Sequence, residues 1–466
     1  MKKHYETHVE DTDKLISVAG PVLDYKSWYE QYRKLMEEQA QRKHGLYTPT
    51  SEGDDDFPSI SGMIARYSAL GLTNEQMAAN PVWVDKTGNG HDLQLKNFAW
   101  KEGSGISDVY LGALVFDGVD DYGTCDNFPI LTKEKGYTVV ALRQWITYNP
   151  NAISAIATNA SDRSFNGAFT FENYNKGAEQ TISYGATQIS LQYSKSPFSW
   201  QTTSKYNGVN IANGNKDATN SLVLGRSYPQ RNEFANFAIW ELVFLDHDAT
   251  EEELTKIKDY FVKTYPWLFP DQAWTVTGKT NEDEDRATIA NITGNGNDLV
   301  CLNLGFIEGN GYNEEGEYAG YLVTDGVDDK ITSSTFEMGN DWTVIGDWEL
   351  INTGKNDNAG IVKFDSIVIY NYNPILINIK NGRNNLIPDQ NTVNAICSDG
   401  RIYSKDWKES IYNEETESTS KNFLTIGYSG NDYTKIAFRN LAIYPTVLSK
   451  EDCIKAYNYL QTLKAK

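Results

Sequence analysis

Between Asp24 and His44, apolar and aromatic side chains recur three, four and three residues apart, at Tyr25, Trp28, Tyr32 and Leu35. That spacing predicts an amphipathic helix or a short coiled coil, with Asp24 able to cap its start and Gly45 its end. Such a helix either lies on its own globular domain or forms an oligomer seam or docking segment. The stretch from Thr48 to Pro58 is rich in Pro, Gly and acid and reads as a linker. Beyond it the pattern changes to short apolar runs, such as Ala113-Leu-Val-Phe116 and Gly320-Tyr-Leu-Val-Thr324, punctuated by Gly/Asn/Asp clusters. These predict many short strands. Two later segments return to helical spacing. Thr250-Glu-Glu-Glu253 forms a capping box ahead of Leu254, Ile257 and Phe261, and Ser449-Lys-Glu-Asp452 plays the same part ahead of Cys453, Ala456 and Leu460.

The strand-rich part is a duplication. Gly71-Leu-Thr-Asn-Glu75 recurs as Gly278-Lys-Thr-Asn-Glu282, Thr87-Gly-Asn-Gly90 as Thr293-Gly-Asn-Gly296, and Asp117-Gly-Val-Asp-Asp121 as Asp325-Gly-Val-Asp-Asp329. Tyr137-Thr-Val-Val140 is echoed by Trp342-Thr-Val-Ile345, Leu222-Val-Leu-Gly225 by Leu424-Thr-Ile-Gly427, and Phe237-Ala-Ile-Trp240 by Leu441-Ala-Ile-Tyr444. The order is conserved between copies and the offsets stay between 202 and 208 residues. The predicted organisation is a helical segment and linker at 1–60, one β copy at 61–268 and a second at 269–466, with Pro266 and Pro270 marking a short, stiff junction. Short strands in a domain of this size point to an antiparallel sandwich. Each Asp-Gly-Val-Asp-Asp reads as a tight hairpin, with Tyr122 and Lys330 opening the return strand.

Composition narrows the functional classes. Among 466 residues, 63 Asp and Glu face 42 Lys and Arg, a net charge of −21, which excludes a large electrostatic share in nucleic-acid binding. The charge is uneven: 13 acids against three bases between Asp271 and Lys330 leave a local net of −10. No apolar stretch follows Met1–Glu10, so no signal peptide is visible, and no run of about 18 apolar residues predicts membrane insertion. The four cysteines, Cys125, Cys301, Cys397 and Cys453, lack CxxC spacing; their even number permits two disulfides, but in a chain this long they read as reduced thiols, with Cys453 a small buried hydrophobe.

The Thr-Gly-Asn-Gly turns, the strand followed by Asp-Gly-Val-Asp-Asp, and the late strand with its following helix resemble the laminin-G-like, concanavalin A-like lectin/glucanase superfamily. Gly278-Lys-Thr-Asn-Glu-Asp-Glu-Asp-Arg286 resembles a variant in large virion proteins of tailed phages of gut bacteria, the crAss-like group included. The resemblance covers about 400 residues. It implies a mainly β protein of two tandem antiparallel jelly-roll sandwiches behind a short α-helical N-terminal segment. It further implies a non-enzymatic virion surface protein, such as a head fibre or tail appendage, made in the host cytoplasm and displaying lectin-like domains for glycan or host-surface attachment. Residues 1–60 would then meet other virion proteins, in a homo-oligomer. A polysaccharide-degrading glycoside hydrolase and a bacterial adhesion or scaffold protein are the alternatives.

The chemistry-bearing residues fit a binding protein better than an enzyme. A retaining glycosidase needs two carboxylates about 5–5.5 Å apart on one strand face. Asp347-Trp-Glu349 comes nearest, but its counterpart Leu142-Arg-Gln144 lacks both acids. There is no Gly-x-Ser-x-Gly, and the Thr-Gly-Asn-Gly turns lack a Walker lysine. Asp117, Asp120, Asp121, Asp325, Asp328 and Asp329 are candidate ligands for calcium, which takes carboxylate and carbonyl oxygens; the same residues also suit turn chemistry. Tyr312, Tyr318, Tyr370 and Tyr372 lie in Gly/Asn-rich surroundings, where exposed rings could stack on sugar.

Overall fold

The computed structural model describes residues 56–131, 136–147, 156–160, 170–171, 188–193, 218–226, 233–351, 360–364, 367–370, 375–379, 383–387, 393–411, 424–428 and 433–465. For Gln188–Tyr193 and for the strands between 360 and 387, the backbone alone is described. The helix predicted at 24–44 lies outside the described residues. The chain divides into two compact units, 1–57 and 58–466, which places the start of the β region close to the predicted boundary.

Residues 58–466 are mainly antiparallel β, as four sheets, two per copy. In the first copy the Asn236–Leu245 strand is central. It pairs with Thr138–Thr147 on one side and shares its other edge between Met63–Ser68 and Leu114–Asp117. The facing sheet runs Val82–Trp83, Leu93–Lys96, Tyr122–Cys125, Ala218–Leu224, Ala157–Ala160 and Thr170–Phe171. The second copy repeats the plan, with Ile436–Tyr444 between Thr343–Leu350 and the pair Gln272–Thr275 and Leu322–Val323. Each copy closes a separate apolar core between its two sheets. One holds Tyr67, Trp83, Phe116, Trp145 and Phe244; the other holds Trp274, Trp342, Trp348, Phe438 and Ile443. Aromatic side chains contribute to both cores, where each buried ring removes on the order of 150–250 Å² from water.

Both closing helices form where predicted, Glu251–Thr264 and Lys450–Thr462. Thr250 and Glu253 make a reciprocal capping box, and the Ser449 hydroxyl accepts from the Asp452 amide. Leu254 and Cys453 occupy the same buried position of their helices, which makes Cys453 the small core residue that the sequence predicts. No helix among the described residues is long and apolar enough to cross a membrane.

Two expectations are corrected. First, the Asp-Gly-Val-Asp-Asp segments do not close hairpins. Leu114–Asp117 and Tyr122–Cys125 belong to different sheets, as do Leu322–Val323 and Lys330–Thr332, so each segment arches across the sandwich edge. Second, Phe237-Ala-Ile-Trp240 and Leu441-Ala-Ile-Tyr444 are not equivalent. Leu245 pairs with Thr138 where Tyr444 pairs with the corresponding Thr343, so the central strands match five residues out of the sequence-based phase. A strand buried on both faces presents an almost continuous apolar run, which carries no register of its own. At the junction between the copies, the Pro266–Leu268 turn packs into the structure. Trp267 and Leu268 are buried, the Tyr444 hydroxyl donates to the Trp267 carbonyl at 2.9 Å, and the Lys455 ammonium lies 4.2 Å from the Trp267 ring centroid. Gln144 of the first copy also reaches Thr462 of the second at 3.3 Å, so the copies adjoin through the C-terminal helix.

Candidate functional site

In each aspartate triad one carboxylate oxygen of each residue lies within 4.8 Å of the others. Their oxygens serve the arch. Asp117 accepts from the amides of Val119 and Asp120, while Asp121 accepts from the Asp117 amide at 3.0 Å and from the Ser104 hydroxyl at 3.1 Å. Asp325 and Asp329 repeat the backbone contacts, with Val327 N to Asp325 at 2.7 Å and Asp325 N to Asp329 at 2.7 Å. Asp120 and Asp328 are exposed, and their carbonyls accept from Asn97 and Asn303. Calcium prefers six to eight oxygens free to turn toward it. The inner carboxylates of the first copy are committed to amides and a hydroxyl, so that triad fits turn chemistry rather than a cation. The second differs at one atom: Asn310, at the position of Ser104, donates to Asp325 at 3.3 Å, and Asp329 Oδ1 is buried with no hydrogen-bond donor.

The tyrosines separate. Tyr312 is 2% exposed, its hydroxyl donates to the Arg286 carbonyl at 2.7 Å, and its ring stacks on Phe306. It is a core residue, contrary to the exposure expected from its Gly/Asn-rich context, because the short Gly311–Tyr312 strand turns it inward. Tyr318 is half-buried at the surface. Tyr370 ends the Ile367–Tyr370 strand, and its side chain, like all of Tyr372, lies outside the described residues.

Tyr318 leads to a cluster that the sequence only grazed. Along Thr343–Leu350, Trp348 enters the core and strand alternation turns Asp347 and Glu349 to the opposite face. The Tyr321 hydroxyl donates to Asp347 Oδ1 at 3.0 Å, Arg439 Nη1 lies 3.9 Å from its Oδ2, and the Asp347 charge also acts on the Tyr457 phenol. Burial, then the charge of Asp347, pushes the Tyr321 phenol up to about 12, and the same two causes raise Tyr457. Both hydroxyls therefore stay protonated donors. Arg439 lies over the Tyr321 ring at 5.8 Å, and Tyr318 meets Tyr321 edge-on at 6.4 Å. On the far side Trp407 packs edge-on against Tyr457 at 5.7 Å, and Lys405 pairs with Glu349 at 3.8 Å. Trp407 sits at φ 57°, a left-handed conformation costly for a bulky residue. Three hydrogen bonds hold that turn, from Trp407 N to the Ser404 carbonyl, from Lys408 N to Ser404 Oγ, and from Ser404 N to the Lys408 carbonyl.

The result is a face with half-exposed rings (Tyr318, Tyr321, Trp407 and Tyr457) around carboxylates and a guanidinium. Tyr318, Asp347 and Glu349 were legible beforehand; Tyr321, Arg439, Trp407 and Tyr457 were not. The first copy lacks the face, since strand pairing puts Leu142 and Gln144 where Asp347 and Glu349 stand.

No family model matches the chain, and no curated protein matches it. Among solved structures, Trypanosoma rangeli sialidase in complex with sialic acid is similar at 8% identity and a TM-score of 0.30, over 50% of this chain and 41% of the sialidase. Domain 4 of AbnA, a GH43 extracellular arabinanase from Geobacillus stearothermophilus, in complex with arabinotriose, is similar at 18% identity and a TM-score of 0.27, over 42% of this chain and 97% of that domain. The botulinum neurotoxin serotype D/C VPI 5993 binding domain is similar at 7% identity and a TM-score of 0.29, over 81% of this chain and 99% of its own. The assignment of the two sandwiches therefore rests on strand topology.

Proposed function

We propose that the chain is a non-enzymatic glycan-binding protein whose ligand lies on the outer face of the second copy, and that it is carried on a phage particle through residues 1–60. One observation carries the binding reading: four half-exposed aromatic rings border Asp347, Glu349 and Arg439 on one sheet face. The C–H face of a pyranose stacks on such rings, while its hydroxyls need fixed acceptors and donors. Asp347 is already held by Tyr321 and Arg439, an arrangement that suits a rigid acceptor better than a group that must exchange protons with substrate. The particle setting is supported by the sequence resemblance alone. Many copies per particle would turn one modest site per chain into avid attachment.

On a glycan array the full chain is expected to bind a defined set of sugars, and Trp407→Ala to weaken that binding roughly tenfold, the loss of about 1.4 kcal/mol of stacking. An array blank for the wild-type chain would remove the glycan reading. Asp347 and Glu349 on one face also favour a hydrolase as the second reading. Release of reducing sugar that is lost in both Asp347→Asn and Glu349→Gln would establish it. Mass spectrometry of purified particles tests the setting, which fails if the polypeptide is missing from them.

A further inference from the structure

Cys397 and Cys453 are both fully buried, and each thiol is the first influence on the other's ionisation. Cys397 ends the Val393–Cys397 strand opposite Thr343, whose hydroxyl lies 3.7 Å from the Cys397 sulfur. Cys453 opens the C-terminal helix, with its sulfur 4.0 Å from the Leu448 carbonyl. The Leu448 amide in turn donates to the Thr343 hydroxyl at 2.9 Å, so both sulfurs converge on one point where helix meets sheet. The first copy has neither cysteine. Leu254 stands at the place of Cys453, and Tyr193, paired with Thr138, stands at the place of Cys397. Two of the four cysteines thus occur together in one copy, beside the Thr343–Leu448 contact. Cys125 and Cys301 lie apart in the two separate cores.

We infer that Cys397 and Cys453 form a reversible disulfide that locks the C-terminal helix onto its sheet when the protein meets an oxidising thiol pool. The neighbouring Cys453 thiol holds the Cys397 thiol below its usual range and marks it as the attacking sulfur. The Cys397 thiolate attacks oxidised glutathione, forming a mixed disulfide and releasing one glutathione thiolate. Cys453 then loses its proton and attacks the Cys397 sulfur, expelling the second glutathione. Two electrons and two protons pass from the cysteines to the glutathione, which leaves as two reduced molecules. Burial makes the first attack wait for fraying of the helix start, so the lock closes slowly and reopens only under strong reductant.

The test uses the full chain incubated with oxidised glutathione in urea below its unfolding midpoint, against a dithiothreitol control. The expected product has lost the mass of two hydrogens, yields one cross-linked peptide joining Cys397 to Cys453, and melts roughly 5 °C or more above the reduced protein. Cys453→Leu, which copies Leu254, is expected to abolish the gain in melting temperature and leave a glutathione adduct on Cys397. Stable glutathione adducts on both wild-type cysteines, cross-links to Cys125 or Cys301, or an unchanged mass would each overturn the inference.

Discussion

Replacing Glu241 with alanine is expected to lower the unfolding free energy by about 3–5 kcal/mol, read from urea titration. Glu241 is fully buried beneath the Glu251–Thr264 helix and accepts from Arg66 Nε at 3.2 Å, Arg66 Nη2 at 3.3 Å, Ser68 at 2.7 Å and Tyr265 at 2.7 Å. Arg66 is only 3% exposed and also donates to the Tyr260 hydroxyl at 2.9 Å. Removing the carboxylate leaves a buried guanidinium without its counter-charge, and that desolvated cation is the source of the loss. The second copy supplies the control. Strand pairing places Ala273 and Asn440 where the first has Arg66 and Glu241. The double variant Arg66→Ala with Glu241→Asn should therefore cost less than Glu241→Ala alone, because no charge is stranded. Equal or greater loss in the double variant would show that packing, not the ion pair, dominates this site.

The second large effect is a dependence of stability on pH set by the two arches. Burial raises Asp121 to about 7, partly offset by its bonds from Ser104 and the Asp117 amide, and raises Asp329 to about 6. A carboxyl with a raised folded pKa binds its proton more tightly in the native state than in the unfolded chain. Its contribution is complete below the unfolded value near 4 and is lost as pH rises through the folded value. For Asp121, a shift of about three units corresponds to about 4 kcal/mol lost between roughly pH 4 and pH 8. Asp121→Asn should flatten the first copy's share of this decline, because a neutral amide still accepts from the Asp117 amide. The measurement is the difference in unfolding free energy between wild type and variant across that range. A constant difference would show that Asp121 ionises near the normal carboxylate range.

The duplicated architecture was legible because its signals are local. Turn residues at Thr87-Gly-Asn-Gly90 and Asp117-Gly-Val-Asp-Asp121, and the cap at Thr250 with Glu253, act through the backbone within a few residues. The turns keep their spelling in both copies, the cap becomes Ser449 with Asp452, and the structure places both closing helices where these signals indicate. The register of the central strands was not legible, since Asn236–Leu245 and Ile436–Tyr444 are buried along almost their whole length and one apolar run matches another at several offsets. The arches were mistaken for hairpins for a related reason. A turn specifies its own dihedrals, but which sheet the next strand joins depends on partners about 100 residues away, as with Tyr122–Cys125 and Ala218–Leu224.

By itself, then, the sequence determined the class of structure, its duplication, the capped helices and the aromatic filling of two β cores. Only the tertiary structure decided which polar residues share a surface. Tyr312 turned inward, and Asp347 gathered Tyr321, Arg439 and Tyr457 around it, with Trp407 beyond, because alternation assigns a residue to one of two faces while sheet order and helix docking decide what that face meets. The same division separates the copies. Local signals are shared between them, whereas the buried Arg66–Glu241 pair, the Asp347 face and the Cys397–Cys453 contact each belong to one copy, since each depends on several substituted positions that only folding brings together.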